Sequence, residues 1–280
     1  MKTLGYYNGK FAPLDEMMVP MNDRVCYFGD GVYEAAMARN GKIFALPEHL
    51  DRFFNSAGLL KINLGRTKEE VADELYAMLE KMDDSEVFVY WQATRGTGMR
   101  QHQFLADNGP ANLWITMKPG KVGSCDHKLK LITLEDTRFL HCNIKTLNLL
   151  PNVMAAQETA EAGCDECVLH RGDRVTECAH SNVSILKDGV FKTAPTDHYI
   201  LPGITRMHLI QVCKDLCIPV DETPFTLEEL MNADEIIVSS TTKLCAPAYE
   251  IDGKPVGGKS PDLYKKIADA YLHKYLTETN

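Results

Sequence analysis

Lys145 stands in an otherwise apolar stretch, Asn143-Ile-Lys-Thr-Leu-Asn-Leu-Leu150, just ahead of a helical pattern. Lysine is rarely buried without purpose, and burial lowers its pKa and frees the amine that a Schiff base requires. On this segment alone, a side chain that snorkels from a strand end is the simpler explanation. Glu177, in Thr176-Glu-Cys-Ala-His-Ser-Asn-Val183, puts a carboxylate at the end of an apolar strand pattern. Such a group could hold a protonated ring nitrogen, or be a solvated strand end capped by Ser181 and Asn182. Leu201-Pro-Gly-Ile-Thr-Arg206 opens a helix whose free N–H groups and Thr205 hydroxyl suit a phosphate, and Ser239-Ser-Thr-Thr242 offers a second run of hydroxyls. Serine-threonine runs are as often loops and caps. Thr94-Arg-Gly-Thr-Gly-Met-Arg100-Gln-His102 gathers two arginines and a histidine about a glycine-rich turn. That set could bind a carboxylate bidentately or be an exposed basic turn.

The nine cysteines give a weaker signal. Cys164-Asp-Glu-Cys167 has the spacing of half a zinc site, and Cys213 with Cys217 would be the other half. However, Cys213 and Cys217 read as core-facing positions of one helix, and the intervals do not match a zinc ribbon. Buried thiols packing as small hydrophobes fit better, so no metal site is expected. Asp30, Glu48 and Asp51 do not suffice for magnesium.

The positioning elements come from a chain of 280 residues with 45% hydrophobic and 25% charged residues, which excludes disorder and collagen-like or coiled-coil architecture. A net charge of −9 argues against nucleic acid and anionic membrane as partners. The first ten residues lack an apolar h-region, and no run is long enough to span a bilayer. With unpaired cysteines, a reducing cytoplasm is expected. Asn8-Gly9 and Asn40-Gly41 predict tight hairpins. Helices are expected over 47–60, after a Thr67/Glu70 capping box, over 151–162, 204–216, 227–231 and 261–276. Strands are expected over 86–94, 112–118, 128–134, 166–170, 174–177 and 235–239. The polar, turn-rich 120–125 divides a domain over 1–119 from one over 126–280, suggesting two α/β or α+β lobes with a cleft between them.

Each motif is weak alone, but their order is specific. Phe28-Gly-Asp-Gly-Val-Tyr-Glu34, Glu48-His-Leu-Asp-Arg52, Thr94-Arg-Gly-Thr97, Lys145-Thr-Leu-Asn148, Thr176-Glu177, Ser181-Asn-Val183, Leu201-Pro-Gly-Ile-Thr-Arg206 and Ser240-Thr-Thr242 run almost end to end. Together they resemble the class IV (fold-type IV) pyridoxal-phosphate aminotransferases, over residues 4–277. Arg95-Gly-Thr-Gly-Met-Arg100-Gln-His102-Gln-Phe104, Cys142–Leu150 and Cys164–Arg171 are most similar to the branch acting on D-amino acids.

The resemblance implies a small N-terminal α+β lobe, a larger C-terminal pseudo-barrel lobe, and pyridoxal 5'-phosphate between them. It also implies a homodimer whose carboxylate-binding residues reach in from the neighbouring subunit. Carried over to this sequence, Lys145 forms the Schiff base and then shuttles a proton. Glu177 pairs with the pyridine nitrogen. Arg52, Thr205 and Thr241, with the amide of Ile204, hold the phosphate. Tyr33, Arg100 and His102 bind the substrate carboxylate, and Tyr90 and Leu201 are lesser candidates for the pocket wall. The implied reaction is transamination between D-amino acids (D-alanine, D-glutamate) and 2-oxo acids (2-oxoglutarate, pyruvate). Two features depart from the D-specific pattern: His180 stands where serine is usual, and Pro202 gives a Leu-Pro-Gly pattern shared with the branched-chain enzymes. The alternatives are a branched-chain L-aminotransferase or aminodeoxychorismate lyase, against which Arg100 and His102 speak, and, outside enzymes, a zinc-binding interaction protein.

Overall fold

In the computed structural model, residues 3–104 and 109–280 are described; Met1 and Lys2, with which the expected first domain begins, lie outside them. The chain divides into two units, Met1–Lys121 with Ile144–Asn148 and Glu278–Asn280, and Val122–Asn143 with Leu149–Thr277. The expected second domain contained Lys145, whereas Ile144–Asn148 returns to the first unit. The reason is backbone pairing with a strand more than a hundred residues earlier, described below.

The first unit holds strands β1 (Leu4–Tyr7), β2 (Lys10–Pro13), β3 (Gly31–Arg39), β4 (Lys42–Ile43), β5 (Glu86–Thr94) and β6 (Asn112–Pro119), and helices α1 (Arg24–Phe28), α2 (Leu46–Leu59) and α3 (Lys68–Leu79). The strands form one antiparallel sheet in the order β2-β1-β6-β5-β3-β4. Asn8 and Gly9 turn the first hairpin with φ of 45° and 89°, positive values that asparagine and glycine tolerate. Alternation along β5 sends Val87, Val89, Trp91 and Ala93 into the core, where α2 contributes Leu50, Phe53 and Ala57, and α3 contributes Val71, Leu75 and Met78. The capping box forms: Thr67 Oγ1 accepts from Glu70 N at 3.2 Å, and Glu70 Oε2 accepts from Thr67 N at 2.8 Å.

The second unit holds β7 (Leu129–Glu135), α4 (Leu150–Glu161), β8 (Glu166–Arg171), β9 (Arg174–Cys178), β10 (Asn182–Lys187), β11 (Val190–Thr193), α5 (Ile204–Asp215), β12 (Val220–Asp221), α6 (Leu227–Met231), β13 (Glu235–Ser240), β14 (Leu244–Ile251), β15 (Lys254–Pro255) and most of α7 (Pro261–Glu278). Its sheet runs β12-β11-β10-β13-β14-β7-β8-β9, with β15 on β14 and parallel pairs among antiparallel ones. Terminal β9 also lies beside β10, so the sheet curls toward a half-barrel. One expectation fails: Cys213 is buried on α5, but Cys217 lies exposed beyond its end with φ of 58°, because the helix stops at Asp215. No helix among the described residues is long and apolar enough to cross a membrane.

Candidate active site

In the first unit, Lys145 is placed by its own backbone. Tyr33 N donates to Lys145 O at 3.0 Å, Leu147 N donates to Gly31 O at 3.0 Å, and Val32 pairs with Thr146 across an isolated bridge. Gly31 allows this approach: a Cβ there would meet Ala93 O at 2.5 Å and Leu147 Cδ1 at 2.6 Å. Lys145 N also donates to Ser56 Oγ of α2 at 3.2 Å. The half-buried ammonium sits 4.2 Å from the centre of the Tyr33 ring and has no carboxylate partner among the described residues. Tyr33 in turn stacks on Tyr90, ring centres 5.6 Å apart, its diagonal neighbour across the β3–β5 pair.

Along β3, Glu34 points to the opposite face from Tyr33 and is fully buried. Its carboxylate receives Arg52 Nε at 2.6 Å and Nη2 at 2.8 Å, with His49 Nδ1 at 2.7 Å. Burial opposes the charge, yet Arg52 and His49 outweigh it and hold Glu34 well below the usual carboxylate range. Burial lowers His49 from its ordinary value, against the attraction of Glu34. Two arms of the Arg52 fork are therefore fixed on Glu34, which sets the plane of the guanidinium.

Arg100 and His102 lie on the segment that follows β5, against Phe28. The Arg100 guanidinium stands 5.4 Å from the Phe28 ring centre, and the His102 ring 5.3 Å from it. Neither makes a hydrogen bond or ion pair through its side chain among the described residues.

In the second unit, Glu177 is buried on β9. Its Oε1 accepts from Arg138 Nη1, and its Oε2 accepts from Asn182 Nδ2 at 2.9 Å and Leu201 N at 3.1 Å. Arg138 is itself clamped by Asp136, at 2.9 Å from both Nε and Nη2. Burial raises the Glu177 carboxyl, with Arg138 pulling the other way. Burial works against the Arg138 charge too, but Glu177 and Asp136 outweigh it and push Arg138 up. A carboxylate has about four lone-pair sites. Three are used, so Oε1 retains one acceptor position, which a pyridinium N–H fits.

Helix α5 starts at an N-cap, Gly203, that carries no side-chain cap, and its first helical bond is Met207 N to Gly203 O at 2.9 Å. The amides of Ile204 and Thr205 are thus left without helical partners, as an anion requires. Gly203 cannot carry a side chain, because a Cβ would overlap Asn182 Oδ1. Thr205 is buried and its Oγ1 accepts from Tyr271 at 3.4 Å, leaving its own proton to donate. Thr241 is half-buried in the turn after β13, the strand against which α5 packs. That turn is tied down by Lys243, whose Nζ lies 3.3 Å from buried Glu166 and 3.1 Å from His180 Nε2; His180 Nδ1 is 3.2 Å from the same carboxylate.

Of the residues expected to form the site, Tyr33, Arg52, Arg100, His102 and Lys145 belong to the first unit, and Glu177, Ile204, Thr205 and Thr241 to the second. Sequence reasoning missed Asp136, Arg138 and Asn182 as the setting of Glu177, and Glu34 and His49 as that of Arg52. The one local signal was a charged residue inside an apolar strand pattern at Glu34.

A family model described as amino-transferase class IV matches residues 31–251. The D-alanine aminotransferase of Staphylococcus haemolyticus is 38% identical over 274 residues, 97% of this chain and 97% of its own. That of Listeria monocytogenes serotype 1/2a is 38% identical over 277 residues, 97% of this chain and 94% of its own. Among solved structures, the branched-chain aminotransferase of Thermoproteus uzoniensis with norvaline superposes with a TM-score of 0.89 at 26% identity, covering 99% of this chain and 96% of that one. A family match over most of the chain, and relatives alike nearly from end to end, establish that the chain belongs to the class IV aminotransferases.

Proposed function

We propose that this pyridoxal-phosphate-dependent aminotransferase exchanges the amino group between D-amino acids, D-alanine foremost, and 2-oxo acids such as 2-oxoglutarate and pyruvate. The observation that carries the chemistry is Lys145: a half-buried ammonium beside an aromatic ring, without a carboxylate partner among the described residues. When bound, pyridoxal phosphate would supply an aldehyde for the amine and an electron-accepting ring. Lys145 Nζ takes the proton from the substrate Cα and returns it, as general base and then acid. Glu177 would pair with the ring N–H, and Arg138 keeps the carboxylate oriented. Arg52, the Ile204 amide, and the Thr205 and Thr241 hydroxyls hold the phosphate.

The substrate carboxylate is bound by Tyr33 with Arg100 and His102, the latter two contributed by the neighbouring subunit of a homodimer. This arrangement is supported by α4, which leaves Leu150, Val153 and Met154 exposed at helical spacing, an apolar face suited to a second copy. The D-specific reading is favoured over the branched-chain one by Arg100 and His102, and by 38% identity to D-alanine aminotransferases against 26% to a branched-chain enzyme. Nine free thiols suit a reducing cytoplasm as the place of action.

The test is turnover of D-alanine with 2-oxoglutarate, read as pyruvate formed, by the chain loaded with pyridoxal phosphate. Wild type should be active and Lys145→Ala inactive while retaining its unfolding midpoint. An active Lys145→Ala enzyme would overturn the assignment of the amine.

A further inference from the structure

Arg24, the first residue of α1, is buried at 3% exposure although it belongs to none of the groups assigned above. Its Nε donates to Asp30 Oδ2 at 2.7 Å. The rest of the fork is spent on three consecutive backbone carbonyls: Nη1 donates to Gln101 O at 2.8 Å and Gln103 O at 3.2 Å, and Nη2 to His102 O at 3.4 Å. Asp30 also receives Arg95 Nε at 2.8 Å, and Arg95 continues to Leu60 O at 2.9 Å and Lys61 O at 3.0 Å, just past the end of α2. The Arg24 guanidinium lies 5.0 Å from the Phe28 ring centre, on the ring that Arg100 and His102 also face.

From this we infer that Arg24 is a positioning residue for substrate-carboxylate recognition, fixing the Gln101–Gln103 backbone so that Arg100 and His102 are held ready, their side chains making no hydrogen bond or ion pair among the described residues. This rests on the carboxylate role proposed for Arg100 and His102. The residues from Met99 to Phe104 are exposed and carry no secondary structure. Ordering such a segment costs backbone conformational entropy at every residue. Three carbonyls converging on one buried guanidinium offset that cost without using the side chains that must meet the ligand. Lysine cannot replace this fork, since its ammonium is a point charge that does not span Asp30 and three carbonyls.

The experiment is steady-state kinetics of Arg24→Lys in the cofactor-loaded enzyme, alone and combined with Arg100→Ala. Arg24→Lys should raise KM for D-alanine by about tenfold, with kcat changed less than about threefold and the cofactor absorbance unaltered, as when binding geometry loosens. In the Arg100→Ala background it should add less than about twofold, because the residue it positions is gone. Unchanged KM, or an equal further loss in the Arg100→Ala background, overturns the inference. If Arg24→Lys does not accumulate as folded protein, Asp30→Asn releases the same guanidinium from its other end and should shift KM the same way; unchanged KM there overturns it too. Failure of the underlying reading looks different, since Arg100→Ala by itself would then leave KM for D-alanine unchanged.

Discussion

Glu34→Gln keeps the shape of the side chain and removes the charge opposite Arg52. Glu34 has no exposed surface and Arg52 only 8%, so solvent does little to screen their pairing. The carboxylate accepts two charge-assisted bonds from Arg52, at 2.6 and 2.8 Å, and faces His49 at 2.7 Å. Glutamine offers one oxygen and one NH2 group, so at least one of these contacts becomes donor against donor. Breaking one side of a buried ion pair costs about 3–5 kcal/mol, and the bond glutamine retains places the expectation near about 3. In a chain of this size that lowers Tm by roughly 6–12 °C, at about 2–4 °C per kcal/mol. If Arg52 holds the cofactor phosphate, bound pyridoxal phosphate restores a negative charge beside the guanidinium. The Tm difference between cofactor-loaded and cofactor-free protein should therefore be wider in the variant than in wild type. Thermal unfolding with and without pyridoxal phosphate reads both effects. A cofactor-free variant within about 1 kcal/mol of wild type would refute the energetic reasoning; an equal or narrower gap would refute the phosphate role of Arg52.

Three further outcomes are expected. Burial lowers the His49 pKa, so between its ordinary value of about 6.5 and its folded value the unfolded chain binds more protons. Stability should then fall as pH drops below about 6.5, and again when Glu34 is protonated at more acid pH; urea unfolding of His49→Gln should lack the first loss. Gly31→Ala should cost about 1–3 kcal/mol through overpacking against Ala93 O and Leu147, and should lower kcat by displacing the Lys145 segment, measured as unfolding midpoint and turnover together. Arg138→Met leaves Glu177 buried without its cation and removes a charged hydrogen bond worth about 1.5–3 kcal/mol, so the unfolding midpoint should fall; an unchanged midpoint would contradict the role given to Arg138.

Local chemistry made much of the fold legible. The Asn8-Gly9 turn, the Thr67 capping box and the strand over 86–94 are each written within a few residues, and each forms as expected. Lys145 and Glu177 were visible for a similar reason, as charges in apolar runs. Their settings were not. Arg138 sits in a polar stretch, Glu135-Asp-Thr-Arg138, that resembles any solvated loop until β9 brings Glu177 to it from 39 residues away. Arg24 reaches Gln101 across 77 positions. Ile144–Asn148 joins the first unit only because Gly31 lets a distant backbone approach, which no periodicity reports. Cys217 was misjudged because helix periodicity was extended two residues past the point where α5 stops.

The most direct check is the visible absorbance of the protein loaded with pyridoxal phosphate, followed after adding D-alanine alone and, separately, L-leucine alone. D-alanine should bleach the yellow band of the lysine-bound cofactor in a single half-reaction, and L-leucine should leave it unchanged. Bleaching by L-leucine with no response to D-alanine would contradict D-specific transamination and assign the enzyme to the branched-chain reaction.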